Sequence, residues 1–240
     1  MRSRTILSVA FPVIFAVVAA IIIPGKALVQ DSPKADRHRS FDENRFPIAD
    51  YDSPEPSDPI EQSKRRARGK KYDKSDWNIS SSSQSNVART HALDPRLPAF
   101  PVAESTAVIV GQITDAKAYL SNDKTGVYSV FTVQVNEVLK NSPTSFSLLA
   151  GSSLEVERDG GRVRFPNGRT LIYIATHMPQ VGLRYVLFLA NSGPNDLRIL
   201  TGYELRDGKV HPLDDLPSLD VFQNADETAF LSRLRAKTAP

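Results

Sequence analysis

Val181-Gly182-Leu183-Arg184-Tyr185-Val186-Leu187-Phe188-Leu189-Ala190 is the stretch whose reading decides the fold. Alternation puts Leu183, Tyr185, Leu187 and Leu189 on one face of a strand, and Val186 and Phe188 on the other face are apolar too. A strand that is apolar on both sides is covered on both sides. The run from Val127 to Val138 is the other dense concentration of β-branched and aromatic residues, and it is expected to lie beside the first. Together they predict a mainly β domain.

Composition bounds the rest. The chain has 240 residues and no cysteine, which excludes disulfides, thiolate metal sites, a cysteine nucleophile and a lipidated cysteine. Net charge is +3 over residues 1–30, +1 over residues 31–100 and −1 over residues 101–240. A nucleic-acid binder concentrates Lys and Arg on the domain that docks. The C-terminal half does not, so no nucleic-acid partner is expected.

Arg2 and Arg4 precede residues 5–23, nineteen residues without a charge. This is the pattern of an export or membrane signal with its N-terminus inside. Two readings stay open: a single-pass membrane anchor, favoured by length, and a signal peptide cleaved near Ala27, favoured by Gly25-Lys26-Ala27. Either makes the remainder extracytoplasmic, as a membrane-tethered, periplasmic or secreted protein. Between Gln30 and Phe100 lie seven prolines, eleven serines and mixed charges with few aliphatic residues. Such a segment is expected to be a disordered tether. The organisation so predicted is a leader at 1–27, a tether at 28–100 and a β domain at 101–240.

Within that domain, residues 107–113 read as a first strand in which Gly111 marks a bulge or close approach. Ser121 to Gly126 reads as a turn. Residues 154–158 and 162–165 alternate around Asp159-Gly160-Gly161, the signature of a hairpin; Leu171 to Ile174 adds a short strand. Residues 197–205 turn at Asp207-Gly208 into Val210, a second hairpin. At the end the period changes: Asn224 with Glu227 predicts an N-cap and capping box, and Phe230, Leu231 and Leu234 share one face of an amphipathic helix.

Four segments, 107–113, 133–140, 182–189 and 208–210, resemble the strand order of netrin-like and tissue-inhibitor-of-metalloproteinase-like domains. The resemblance implies a small OB-like antiparallel β-barrel over about residues 104–213, closed by the C-terminal helix. That family is disulfide-bonded, and its inhibitors use an N-terminal cysteine. This chain has none, so the likeness implies the barrel and not the inhibitory chemistry.

Chemistry is sparse. His177 and His211 have no His or carboxylate at metal-ligand spacing, and no nucleophile-elbow, Walker or dinucleotide glycine pattern occurs. Asp214, Asp215 and Asp220 sit in a Pro-containing loop without calcium-loop spacing and read as solvated. No catalytic residue, cofactor or metal is assigned. Two sets of cations are candidates for binding. Arg158, Arg162 and Arg164 on the predicted hairpin, with Arg169 beyond, form a candidate binding surface on which Arg162 and Arg164, two residues apart, point the same way as a fork for a carboxylate or phosphate partner; the competing reading pairs them with Glu155 and Glu157 across the strands. Lys64, Arg65, Arg66, Arg68, Lys70 and Lys71 form a basic run in the tether, a possible contact for anionic lipid or envelope polymer. The expected function is non-catalytic binding of an envelope or extracellular protein or polymer. The alternatives are an extracytoplasmic hydrolase with a site near His177 or His211, and a tether that binds through its basic run.

Overall fold

The computed structural model describes residues 45–73, 87–89, 93–142, 148–174, 176–193 and 196–239. The apolar run at 5–23 and the cleavage motif near Ala27 lie outside them. Among the described residues, no helix is long and apolar enough to cross a membrane.

Among the described residues the chain is mainly β, with two α-helices. In order, the elements are β1 (Ile48–Asp50), α1 (Pro59–Lys70), β2 (Val87–Arg89), β3 (Ala107–Leu120), β4 (Val127–Asn141), β5 (Ser153–Asp159), β6 (Gly161–Arg164), β7 (Thr170–Ile174), β8 (Arg184–Gly193), β9 (Asp196–Arg206), β10 (Lys209–Pro212), β11 (Ala225–Asp226) and α2 (Glu227–Thr238). One sheet has the order β11-β10-β9-β5-β4-β3-β8, and β8 also pairs with β9, so the sheet curls back on itself. Closure is uneven. β3 and β4 pair along nearly their whole length, whereas β5 and β9 meet in parallel only at Val156↔Leu197 and Glu157↔Arg198. A second sheet has the order β1-β6-β7-β2.

The strand at 184–193 is covered on both faces, as its sequence predicts. Tyr185, Leu187 and Leu189 point into the core inside the curled sheet with Ile109, Ile113, Phe131, Val133 and Val135. Val186 and Phe188 point outward into a second core with Tyr203, Val210 and Phe222, sealed by Phe230, Leu231 and Leu234 of α2. Fully burying each such side chain stabilises the fold by about 1.5–3 kcal/mol, which fixes α2 against β8 and β9. The register of β3 on β4 shifts at Val110/Gly111, as the glycine predicts, because a Cβ there would lie 2.5 Å from Val133 Cγ1 and 2.8 Å from the Gln134 carbonyl. The β9–β10 hairpin forms on Asp207 (φ 53°) and Gly208 (φ 70°), the paired positive dihedrals of a two-residue turn matched to strand twist.

Three expectations are corrected. The hairpin at 159–161 does not form: β5 stays in the curled sheet beside β4, while β6 pairs with β7 and β1 in the second sheet. The chain turns a corner at Gly160 (φ 110°), and a Cβ on Gly161 would strike Val127, Ala118 and Ser129. The two glycines therefore serve a sheet crossing, not a strand reversal. Next, the helix cap is Asp226, whose Oδ1 accepts from the Ala229 N–H at 3.0 Å. Asn224 lies outside at φ 62°, because Ala225 and Asp226 first pair with β10 as β11. Finally, the tether is not extended throughout. Residues 59–70 are helical, β1 and β2 flank the second sheet in parallel with β6 and β7, and Phe46, Ala49 and Tyr72 are buried. Low overall hydrophobicity hid this, since the segment docks through ion pairs and single apolar anchors.

Candidate functional site

α1 begins where its sequence says a helix can. Asp58 caps it by accepting from the Ile60 N–H at 3.0 Å, and Pro59 occupies the first turn, where its missing N–H costs nothing. Lys64, Arg68 and Lys71 recur at i, i+4 and i+7, a spacing that aligns them on one side of the helix. That side rests on β5 and the start of β9, where alternation brings Glu155 and Glu157 to one face.

The contacts are dense. Lys64 Nζ lies 2.8 Å from Glu155 Oε2, and Arg68 Nη1 lies 3.0 Å from the same oxygen. The Arg68 guanidinium also donates to Asp196 Oδ1 at 2.9 Å. Lys71 Nζ donates to Glu157 Oε1 at 2.9 Å and to Asp196 Oδ2 at 2.8 Å. Three cations therefore face three carboxylates. Burial alone would push the carboxyls of Glu155 and Asp196 up, but hydrogen bonds from Lys64 and Arg68 on the one, and from Lys71 and Arg68 on the other, outweigh it and hold both below their ordinary range. Burial disfavours the Arg68 charge, and the bond to Asp196 reverses that, so its pKa ends raised.

The loop joining β3 to β4 completes the seat. Asn122 Nδ2 donates to the Arg66 carbonyl at 2.9 Å, and Gly69 passes so close to Asn122 that a Cβ would overlap its side chain. Just past the helix, Tyr72 stacks on Tyr128 of β4 with centroids 4.6 Å apart. Burial, then the charge of Glu157, pushes the Tyr72 hydroxyl up.

Of the six basic residues singled out from sequence, four carry their charge into ion pairs: Lys64, Arg68 and Lys71 here, and Arg66 with Glu55 at 2.7 Å. Arg65 lies over the Tyr119 ring and donates to the Pro54 carbonyl. Lys70 is exposed. Of the predicted arginine surface, Arg162 and Arg164 lie two residues apart on β6, and Arg158 is withdrawn from it. Arg158 shares the inward face of β5 with Val156, and its side chain is 1% exposed. Its guanidinium bonds both oxygens of Asp214, the longer contact at 2.6 Å, and donates from Nε to Thr176 Oγ1 at 2.7 Å. Asp214, expected in solvent, is buried as its counter-ion, and also accepts from Thr201 Oγ1 at 2.8 Å. Arg164 projects from β6 and grips Asp50 of β1 at 2.6 and 2.9 Å. Arg162 neighbours Ile48 and Ile172, and Arg169 precedes β7. Glu155 and Glu157 pair with α1 and not with these arginines, since β5 and β6 belong to different sheets.

Reading the sequence missed Asp196 and gave Glu155 and Glu157 other partners than Lys64, Arg68 and Lys71. Their signal was present as two complementary periodicities, a 2-residue acidic alternation and the basic i, i+4, i+7 stripe, which only the fold brings together. His177 Nε2 lies 3.4 Å from the exposed carboxylate of Asp215, and among the described residues no group of three His, Asp or Glu is placed to hold a metal ion. No protein-family model and no curated protein matches the chain, so the class that fold and site define is a β domain whose acidic strand face carries the chain's own basic helix.

Proposed function

We propose that the chain is a non-catalytic binding module built on an OB-type barrel and held outside the cytoplasm by its leader. The barrel reading is supported by connectivity: β3, β4, β5, β9 and β8 follow one another around the curled sheet and return to β3, with β5 and β9 the one parallel pair. That order is the one expected of a five-stranded, partly open OB-type barrel, whose second and third strands and adjoining loops form the usual ligand face. Here those parts are β4, β5, the 121–126 loop and the facing ends of β8 and β9. The extracytoplasmic reading rests on the basic start and the uncharged run at 5–23.

The observation that carries the binding reading is the occupied face. An acidic patch on the barrel already recognises a basic helix through matched charges. A face of that sign repels polyphosphate and attracts a basic protein segment. The test is affinity capture from the native envelope fraction with the full chain, as wild type and as Arg68→Gln/Lys71→Gln, at low and high salt. The variant is expected to retain a partner that the wild type holds weakly and that salt releases. Equal, salt-insensitive recovery by both, or none by either, overturns this reading.

A further inference from the structure

We infer that α1 is a resident stand-in for another helix: the face made by Glu155, Glu157 and Asp196 takes a partner helix with basic residues at i, i+4 and i+7, which displaces α1. This rests on the binding-module reading above and specifies its partner.

Two features make α1 exchangeable. Its hold is almost wholly polar, for within the helix only Arg68 and Gly69 are buried, and Ile60, its one aliphatic residue larger than alanine, is 76% exposed. No apolar stripe anchors it, unlike α2, whose Phe230, Leu231 and Leu234 are buried in a core. Moreover, it is a short helix, marginal without a surface to lie on. Once released it gains conformational freedom, and its attachment weakens with ionic strength.

Charge complementarity specifies the occupant. With α1 docked, Glu157 is 1% exposed and Asp196 12%; without it, Glu155, Glu157 and Asp196 would stand together as like charges with their cations withdrawn, a repulsion that disfavours the open face. A neutral or acidic ligand does not relieve this. A basic helix does, and it must present its cations at the spacing of Lys64, Arg68 and Lys71, because Glu155 and Glu157 are fixed on a rigid strand and Asp196 at the start of β9. Tyr119 and Tyr128, now beneath Arg65 and Tyr72, would be uncovered beside them as a rim that favours a guanidinium.

The probe is an acetylated, fluorescein-labelled peptide with the sequence of residues 57–73, beside a second peptide of identical composition in which the three cations are moved off one helix side. Anisotropy is read against the full chain as wild type, as Arg68→Gln/Lys71→Gln, and as that variant with Glu155→Gln/Asp196→Asn added. The ordered peptide is expected to bind the released variant at least about tenfold more tightly than wild type, since in the latter α1 competes at high effective concentration. It should lose that binding in the added-face variant and in high salt. In the unaltered wild-type chain, excess ordered peptide should accelerate hydrogen exchange of the α1 amides, a readout that needs no variant. Equal binding of both peptides overturns the inference while the capture experiment upholds the module. Absence of binding by a released variant whose thermal transition is intact overturns it as well. So does a concentration-dependent dimer of the wild type with no peptide uptake, which would assign α1 to exchange between copies.

Discussion

Arg158 and Asp214 show how one side chain's direction changes its meaning. On β5 the odd positions 155 and 157 face α1 and the even positions 154, 156 and 158 face inward, so the guanidinium enters the interior and requires a counter-ion there. Thr176 accepts from Arg158 Nε and Thr201 donates to Asp214, while Arg158 Nη1 stays buried without a hydrogen-bond partner. Removing one member strands the other charge in the interior, so Asp214→Ala is expected to cost about 3–5 kcal/mol of unfolding free energy in urea titration. Arg158→Met combined with Asp214→Leu should lose clearly less than the sum of the single changes, since the two residues are one energetic unit. A smaller and additive pair of effects would show that water reaches the site. Nothing local in the sequence distinguished Arg158 from Arg164. Both sit on alternating strands beside glycines, and only the sheet crossing at Gly160 buries one and leaves the other to clasp Asp50.

α1 is the element that sequence reading placed least well, and the reason is physical. Helices are recognised by an apolar stripe, and this one docks with a basic stripe on an acidic strand, so its partner had to be known before its own period carried information. β8 was legible from the outset because hydrophobic burial is non-specific: two apolar faces need cover whatever provides it. The same contrast governs its response to conditions. The carboxyls of Glu155 and Asp196 titrate below their ordinary values of 4.5 and 3.8 when α1 is docked. Docking is therefore at full strength above those values and is lost as pH falls through the lowered ones. Near-ultraviolet circular dichroism of the Tyr72–Tyr128 stack is expected to collapse in acid before the far-ultraviolet β signal does, and in molar salt at neutral pH without it. Gly69→Ala separates the helix from its seat. Alanine favours an isolated helix by about 1 kcal/mol, yet its Cβ meets Asn122. Faster hydrogen exchange over residues 60–70 with an almost unchanged melting temperature is expected; slower exchange would mean that Asn122 yields.

At the scale of the molecule, the two sheets are one construction. Ala118, Leu120 and Val127 at the far end of the β3–β4 pair pack with Val163, Phe165, Leu171 and Tyr173 of the second sheet, so the long hairpin serves both. That hairpin tolerates no added bulk where its strands lie closest. Gly111→Ala, with its Cβ against Val133 and the Gln134 carbonyl, is expected to lower stability by about 1–3 kcal/mol through overpacking, read as a lower urea midpoint with unchanged slope. The glycine and the hairpin that carries it were both visible in the sequence. Of the second sheet, β6 and β7 were visible as strands and β1 and β2 were not, because these are three residues each and reach it from far along the chain. Their placement has a mechanical consequence. Tension drawn on the chain from the side of Arg45 meets Phe46, buried in the core inside the curled sheet, together with β1, a three-residue strand secured by the Arg164–Asp50 clasp, then α1 and β2, and afterwards the long strands of the curled sheet. In an optical trap gripping the two ends, the molecule should therefore lengthen in a small early step before the large one, with the acidic face laid bare in between. A pull of modest force would then act as a key to that face, with no chemical change in the chain.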